Sequence, residues 1–178
     1  MKKACQRILV TVLACAGFFL LPGLQHASGQ TTFQAYTQPQ AMPSFLLEDL
    51  QGKRVDIRDH RGQVILLNFW ATWCPNCRQE GPSIGKLYAL YKTRGLILYR
   101  IDSKEDPQTV RQFLEKESLE FPVLLDRDGR VERLFGVWVH PTSYLIGRKG
   151  TVRYRVMGVG DWTSLQGTSV IDQLLSER

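Results

Sequence analysis

Val64-Ile65-Leu66-Leu67-Asn68-Phe69-Trp70-Ala71-Thr72-Trp73-Cys74-Pro75-Asn76-Cys77 decides how this chain reads. Its first seven residues are almost wholly apolar and β-branched at the start, which predicts a strand buried on both faces of a sheet. Beyond it Ile84, Leu87, Tyr88 and Tyr91 recur at helical spacing, so the hydrophobic period changes from strand to helix at the two cysteines. Cys74 is therefore expected at or just before the first turn of an amphipathic helix, with Cys77 one turn inside.

That placement points to redox chemistry. Residues three apart on a helix share a face with Cβ atoms about 5–6 Å apart, close to what a disulfide needs, so the pair opens and closes with little backbone movement. Unpaired N–H groups and the macrodipole at the helix N-terminus favour an anion, which lowers the Cys74 pKa below the ~8.5 of a free thiol. Cys74 is the expected nucleophile, and Cys77 the residue that resolves its mixed disulfide. Other chemistries fit less well. Structural zinc needs four ligands, and beyond the pair only His60 and His140 remain after the first thirty residues. Haem attachment needs Cys-x-x-Cys-His, and residue 78 is arginine. A purely structural disulfide at this spacing closes too small a loop to remove much unfolded-state entropy. No metal and no cofactor is expected.

The chain has 178 residues, 43% of them hydrophobic and 10% aromatic, which suits one domain with a real core. Its first thirty residues are unlike the rest. Lys2, Lys3 and Arg7 precede an uncharged apolar run over residues 8–24, followed by Ala27-Ser28-Gly29, an A-x-G cleavage pattern. Those 17 residues are at the short limit for spanning a bilayer, so 1–29 reads as a signal peptide or an N-terminal membrane anchor. Val12-Leu13-Ala14-Cys15 looks like a lipobox, but strongly apolar residues continue after it. Either way the cationic end stays inside, and the rest is expected to be extracytoplasmic, in the periplasm or on the outer face of the cytoplasmic membrane. That compartment permits disulfides. Cys5 and Cys15 fall in the leader, leaving Cys74 and Cys77 as the only thiols of the exported part. The net charge of +6 includes three leader cations and no leader anion, leaving +3 beyond it. Lys53, Arg54, Arg58 and Arg61 alternate with acids as a solvated surface, and no nucleic acid partner is expected.

Residues 30–42, rich in Thr, Gln and Pro without periodicity, read as a tether, and 43–178 as the folded domain. Phe45-Leu46-Leu47-Glu48-Asp49-Leu50 and Lys53-Arg54-Val55-Asp56-Ile57 flank Gln51-Gly52 as a short hairpin. From residue 64 the elements alternate: strand, helix to about 93, strand 96–102, then a helix over 107–116 capped by Asp106 with Pro107 at its first position. A short strand over 121–125, a turn at 126–129 and a short helix to 135 follow. Two strands, 142–146 and 151–156, are joined at hairpin length, and a last helix covers 164–175. Strands first separated by helices and then paired as a hairpin imply an α/β fold, a mixed central sheet flanked by helices.

Five segments resemble the thioredoxin fold, and more closely its exported TlpA/ResA/CcmG (DsbE) branch of thiol:disulfide oxidoreductases. They are the N-terminal β-hairpin extension, NFWATWCPNCRQEGP over 68–82, FPVLLDRDGRV over 121–131, FGVWVHPTSYLI over 135–146, and the closing helix. The resemblance implies that Pro141 is a cis-proline facing the redox pair, beside Thr142, and that Trp73, Pro75 and His140 bind client or tune the sulfurs. An imidazolium at His140 would stabilise the thiolate and make the pair more oxidising. Thioredoxin keeps a buried aspartate where this chain has Asn68, so the proton acceptor must lie elsewhere. Relatives of the ResA type carry an active-site glutamate at the place of Glu105, a candidate to take the Cys77 proton. The rival reading puts Asp102, Glu105 and Asp106 in a solvated loop with a helix cap. Glu80 is a second candidate acid or base, although a first-turn glutamate stabilises any helix start. Trp73 is expected to shield the sulfur and Trp70 to lie in the core.

The resemblance implies a monomeric extracytoplasmic enzyme exchanging disulfides with protein thiols. It is expected to act as a reductant recharged by a membrane electron donor, and the resemblance implies apocytochrome c or a copper-centre protein as client. An oxidant of the DsbA sort would need a long inserted helical domain, which is absent from this sequence. Two further alternatives are a copper-handling chaperone using Cys74, Cys77 and His140, and a peroxiredoxin-like peroxidase. The peroxidase pattern P-x-x-x-[ST]-x-x-C is absent: Ala71 and Cys74 stand three residues before the two cysteines.

Overall fold

The computed structural model describes residues 33–177. The predicted leader over 1–29, with its cleavage, anchoring and lipidation readings, lies outside the described residues. In chain order the strands are β1 (Gln34–Ala41), β2 (Leu46–Asp49), β3 (Arg54–Asp56), β4 (Val64–Trp70), β5 (Leu96–Ser103), β6 (Val123–Asp126), β7 (Thr142–Ile146) and β8 (Thr151–Met157). The helices are α1 (Pro75–Tyr91), α2 (Pro107–Glu117), α3 (Arg130–Phe135) and α4 (Leu165–Ser176). Among the described residues no helix is long and apolar enough to cross a membrane.

All strands share one sheet in the order β1-β8-β7-β4-β5-β6-β2-β3. β4 lies at its centre, parallel to β5 and antiparallel to β7, and every residue of β4 is buried. The side-chain period of two splits this strand between two cores. Val64, Leu66 and Trp70 pack on the face carrying Ile84 and Leu87 of α1, while Ile65, Leu67 and Phe69 pack on the face carrying Val131 and Phe135 of α3. Asn68 has the parity of Leu66 and Trp70, so it is directed beneath α1. The same parity on β5 sends Leu96, Leu98, Arg100 and Asp102 to that face, with Ile101 on the other.

The predicted Asp106 cap is present, its side chain accepting the Gln108 N–H, and Ser164, read as the first residue of the last helix, is its N-cap, accepting the Gly167 N–H. The mixed sheet and the β2/β3 hairpin agree with the sequence reading. The segment read as a tether does not. Residues 34–41 form β1, antiparallel to β8, with the register shifting between Ala35 and Gln40. Its composition carries no alternation, but β8 offers an open ladder, and buried Phe33 packs edge-on against Trp162 with ring centroids 5.4 Å apart. Tertiary pairing overrides weak local propensity here.

Candidate active site

The chain turns from β4 into α1 through Ala71-Thr72-Trp73, and Cys74 is the N-cap of that helix in extended conformation. Pro75 occupies the first turn, where its missing N–H costs nothing. The Cys77 N–H donates to Cys74 Sγ at 3.2 Å, so the sulfur takes the place of a capping oxygen. Cys74 and Cys77 are joined as a disulfide with Cα atoms 5.2 Å apart, and both are buried. A thiolate on Cys74 would sit where unpaired helix N–H groups converge.

The second wall comes from the segment before β7. The His140–Pro141 peptide is cis. Thr142 Oγ1 donates to the Val139 carbonyl at 2.7 Å, and the Gly158 N–H donates to the Pro141 carbonyl at 2.8 Å, which pins the turn from both sides. Trp73 is exposed and meets the His140 ring edge-on at 5.8 Å, linking this turn to the residue before Cys74. His140 is not free: its Nε2 lies 2.5 Å from Glu132 Oε1. Lys104 Nζ approaches Glu132 Oε2 at 3.5 Å. Burial pushes the Glu132 carboxyl up, but hydrogen bonds from His140 and Ser103 and the charges of His140 and Lys104 outweigh it and hold it below its ordinary value. Asp126 in turn accepts the Val131 and Glu132 N–H groups at 3.2 and 2.8 Å, fixing the start of α3.

Glu80, one turn beyond Cys77 on α1, is fully buried. Its Oε1 accepts the Gly160 N–H and the Trp162 Nε1–H, both at 2.9 Å, and its Oε2 accepts from Asn68 Nδ2 at 2.8 Å. Gly160 is needed at this approach, because a Cβ there would come within 2.6 Å of Trp162 Nε1 and 3.0 Å of Glu80 Oε1. Asn68 Nδ2 also donates to Ser143 Oγ at 2.8 Å, and Asn68 Oδ1 accepts from Arg100 Nε at 2.6 Å. Burial pushes the Glu80 carboxyl up, against the pull of Arg100 and the three donors.

Glu105 lies just beyond β5 and directs both oxygens at Thr72, accepting its N–H at 2.6 Å and its hydroxyl at 2.5 Å. It braces the loop that delivers Cys74. Its own N–H donates to Asp102 Oδ1 at 3.2 Å, while Asp102 Oδ2 has no hydrogen-bond partner among the described residues. The solvated-loop reading fails for Asp102, which lies within β5 and is fully buried. Burial, then the neighbouring Glu105, push its carboxyl up to about 8.

The family model described as AhpC/TSA matches residues 39–155. The thiol-disulfide oxidoreductase ResA of Bacillus thuringiensis subsp. konkukian is 33% identical over 159 residues, spanning 85% of this chain and 86% of the relative. A solved Chlorobium tepidum protein, described as thiol:disulfide interchange protein DsbE, superposes with a TM-score of 0.72 at 32% identity, covering 78% of this chain and 98% of its own. StoA from Bacillus subtilis superposes with a TM-score of 0.60 at 28% identity, over 68% of this chain and 92% of that one. The chain belongs to the TlpA/ResA/CcmG-type thioredoxin-like proteins. It is a thiol:disulfide oxidoreductase with a thioredoxin fold.

Within this oxidoreductase the structure brings Trp73, Cys74, Pro75, Cys77, His140, Pro141 and Thr142 together at the C-terminal end of β4, where Thr142 pairs with Phe69. Glu80 and Glu105 lie behind the pair, one beneath α1 and one on the Thr72 loop. Trp70 is core, as expected, with no exposure to solvent. Sequence reasoning missed Arg100, Asp102, Glu132 and the Gly160-Asp161-Trp162 turn. Arg100 and Asp102 had a usable signal, since charges within a central parallel strand are rarely idle. Glu132 had none: it enters the site through a contact made by tertiary packing.

Proposed function

We propose that the protein reduces disulfides of extracytoplasmic protein clients through the Cys74–Cys77 pair. Cys74 thiolate attacks one sulfur of a client disulfide, forming a mixed disulfide and releasing the other client sulfur as a thiolate that takes up a proton. Cys77 then loses its proton and attacks Cys74 Sγ, which frees the second client thiol and leaves the pair oxidised. Two electrons pass to the client. A dithiol donor from the membrane side restores the pair by the reverse exchange. The client class is a cysteine-bearing envelope protein such as apocytochrome c or a copper-centre protein.

The observation that carries this reading is the Cys77 N–H donating to Cys74 Sγ at the mouth of α1, with the Trp73–His140 contact closing the opposite side. Glu80 supports the second step. It shares a helix face with Cys77, both are buried, and burial raises the basicity of its carboxylate, which favours taking up a proton. Glu105 is assigned to positioning, since both its oxygens hold Thr72.

A Cys77→Ser variant tests the assignment. It should accumulate clients as mixed disulfides on Cys74 that a small thiol releases, and mass spectrometry then names them. Failure to trap any thiol protein in the native envelope, with Cys74→Ser behaving identically, would reject it. A reduction potential near about −120 mV, as for a strong oxidant, would reverse the direction of transfer.

A further inference from the structure

Arg100 is a charged side chain with no exposure to solvent, in the middle of β5. Its guanidinium carbon lies 4.3 Å from the Trp70 ring centroid and 4.6 Å from that of Phe121. Its Nη2 stands 4.0 Å from Glu80 Oε2, and neither Nη1 nor Nη2 has a hydrogen-bond partner among the described residues. Placing a guanidinium here is costly unless its charge is used against another buried charge.

A second consequence follows from donor chemistry. Guanidinium nitrogens only donate, so the Asn68 atom facing Arg100 Nε must be its oxygen, and its NH2 then faces Glu80 and Ser143. Among the described residues every hydrogen-bond partner of the Glu80 carboxyl is thereby a donor: the Asn68 NH2, the Gly160 N–H and the Trp162 Nε1–H. A protonated carboxyl would find no acceptor among them. We propose that Arg100 is the positioning residue that keeps Glu80 a carboxylate beneath the redox helix, both as its counter-charge and by setting the Asn68 amide. The inference rests on Glu80 receiving the Cys77 proton, and it names the group that keeps Glu80 able to do so.

The titratable or charged groups facing Glu80 are Arg100 from β5 and, when the disulfide opens, Cys77 from its own helix. β4 and the Gly160–Trp162 turn present neutral donors. Of the effects opposing burial at Glu80, the Arg100 charge is the largest. Burial lowers Arg100 to about 10, which leaves it charged at neutral pH. An arginine suits the place because a planar, weakly hydrated cation stacks between two aromatic rings.

Carboxyl-carbon NMR of the full chain with labelled glutamate, disulfide closed, tests this directly. In the native protein Glu80 should be ionised at neutral pH. In Arg100→Met its midpoint should rise by about one to three pH units, the effect of an opposite charge at this range, whereas Arg100→Lys should keep most of the native behaviour. A rise of less than about 0.5 unit in Arg100→Met, or a native Glu80 that is protonated at neutral pH, overturns the proposal. A native Glu80 protonated at neutral pH overturns the proposal even where neither variant folds. The role of Glu80 itself is tested separately. If Glu80→Gln leaves the pH profile of disulfide exchange unchanged, the proton-transfer reading fails while the titration result stands.

Discussion

Glu80 and Asp102 are both carboxyls with no solvent exposure on the α1 face of the sheet, and their surroundings are opposite. Glu80 meets three donors and a guanidinium. Asp102 meets one backbone donor, keeps one oxygen without a hydrogen-bond partner among the described residues, and faces the carboxyls of Glu105 and Glu132. Burial raises both, but neighbours decide what the raised group can do: the first site is built for an acceptor, the second for a held proton. The fold thus places a donor-surrounded carboxyl under Cys77 and a carboxyl raised by burial and by a neighbouring carboxyl behind the loop that carries Cys74.

The largest test of this contrast is Glu80→Ala. It strands the Arg100 charge and three donors in the interior, and should cost about 3–5 kcal/mol in urea unfolding, the usual penalty for removing one partner of a buried pair. A loss below about 1 kcal/mol would mean that Glu80 is not integral to the interior network.

Asp102 should show itself as a pH dependence. Its folded pKa is raised to about 8 from 3.8, so above the unfolded value the native state holds a proton that the unfolded chain has released. The stability linked to this group is fully present below about pH 4 and is lost as pH rises through about 8, at up to roughly 1.4 kcal/mol per pH unit. Asp102→Asn should flatten that decline. Unfolding curves of equal slope against pH in the two proteins would show that Asp102 is not the group responsible.

The smallest effect belongs to the outer acid, Glu132, and its partner. If His140, held by Glu132, steadies the Cys74 thiolate, His140→Ala and Glu132→Gln should each raise the Cys74 pKa by about one unit or less. Alkylation rates measured against pH report this shift. Curves that superpose on the native one would confine the pair to packing of the turn before β7.

Much of this site is legible before any coordinates, because the decisive signals are local. The change of period at Cys74 and the Asp106-Pro107 cap concern neighbours in sequence, and the structure repeats them. Asn68 draws notice through the resemblance, as the place where thioredoxin keeps an aspartate, and the structure makes it the hub between Glu80, Arg100 and Ser143. What escaped depends on partners that sequence order does not bring together. Gln34–Ala41 lacks alternation and becomes a strand only because β8 is there to pair with. His140 gains Glu132 across a turn, and the Glu80 pocket closes through Gly160 and Trp162, some eighty residues away.

The two ends of the sheet bear on the company this enzyme keeps. A free sheet margin is a template on which another extended chain can pair and grow. Here one margin is β3, a strand of three residues bearing Arg54 and Asp56. The other is β1, whose ladder is broken between Ala35 and Gln40 and whose sequence there includes Pro39, a residue without an N–H to give. Both margins are poor templates, so an extended chain finds little to pair with at either end of the sheet, and the margins discourage edge-to-edge growth.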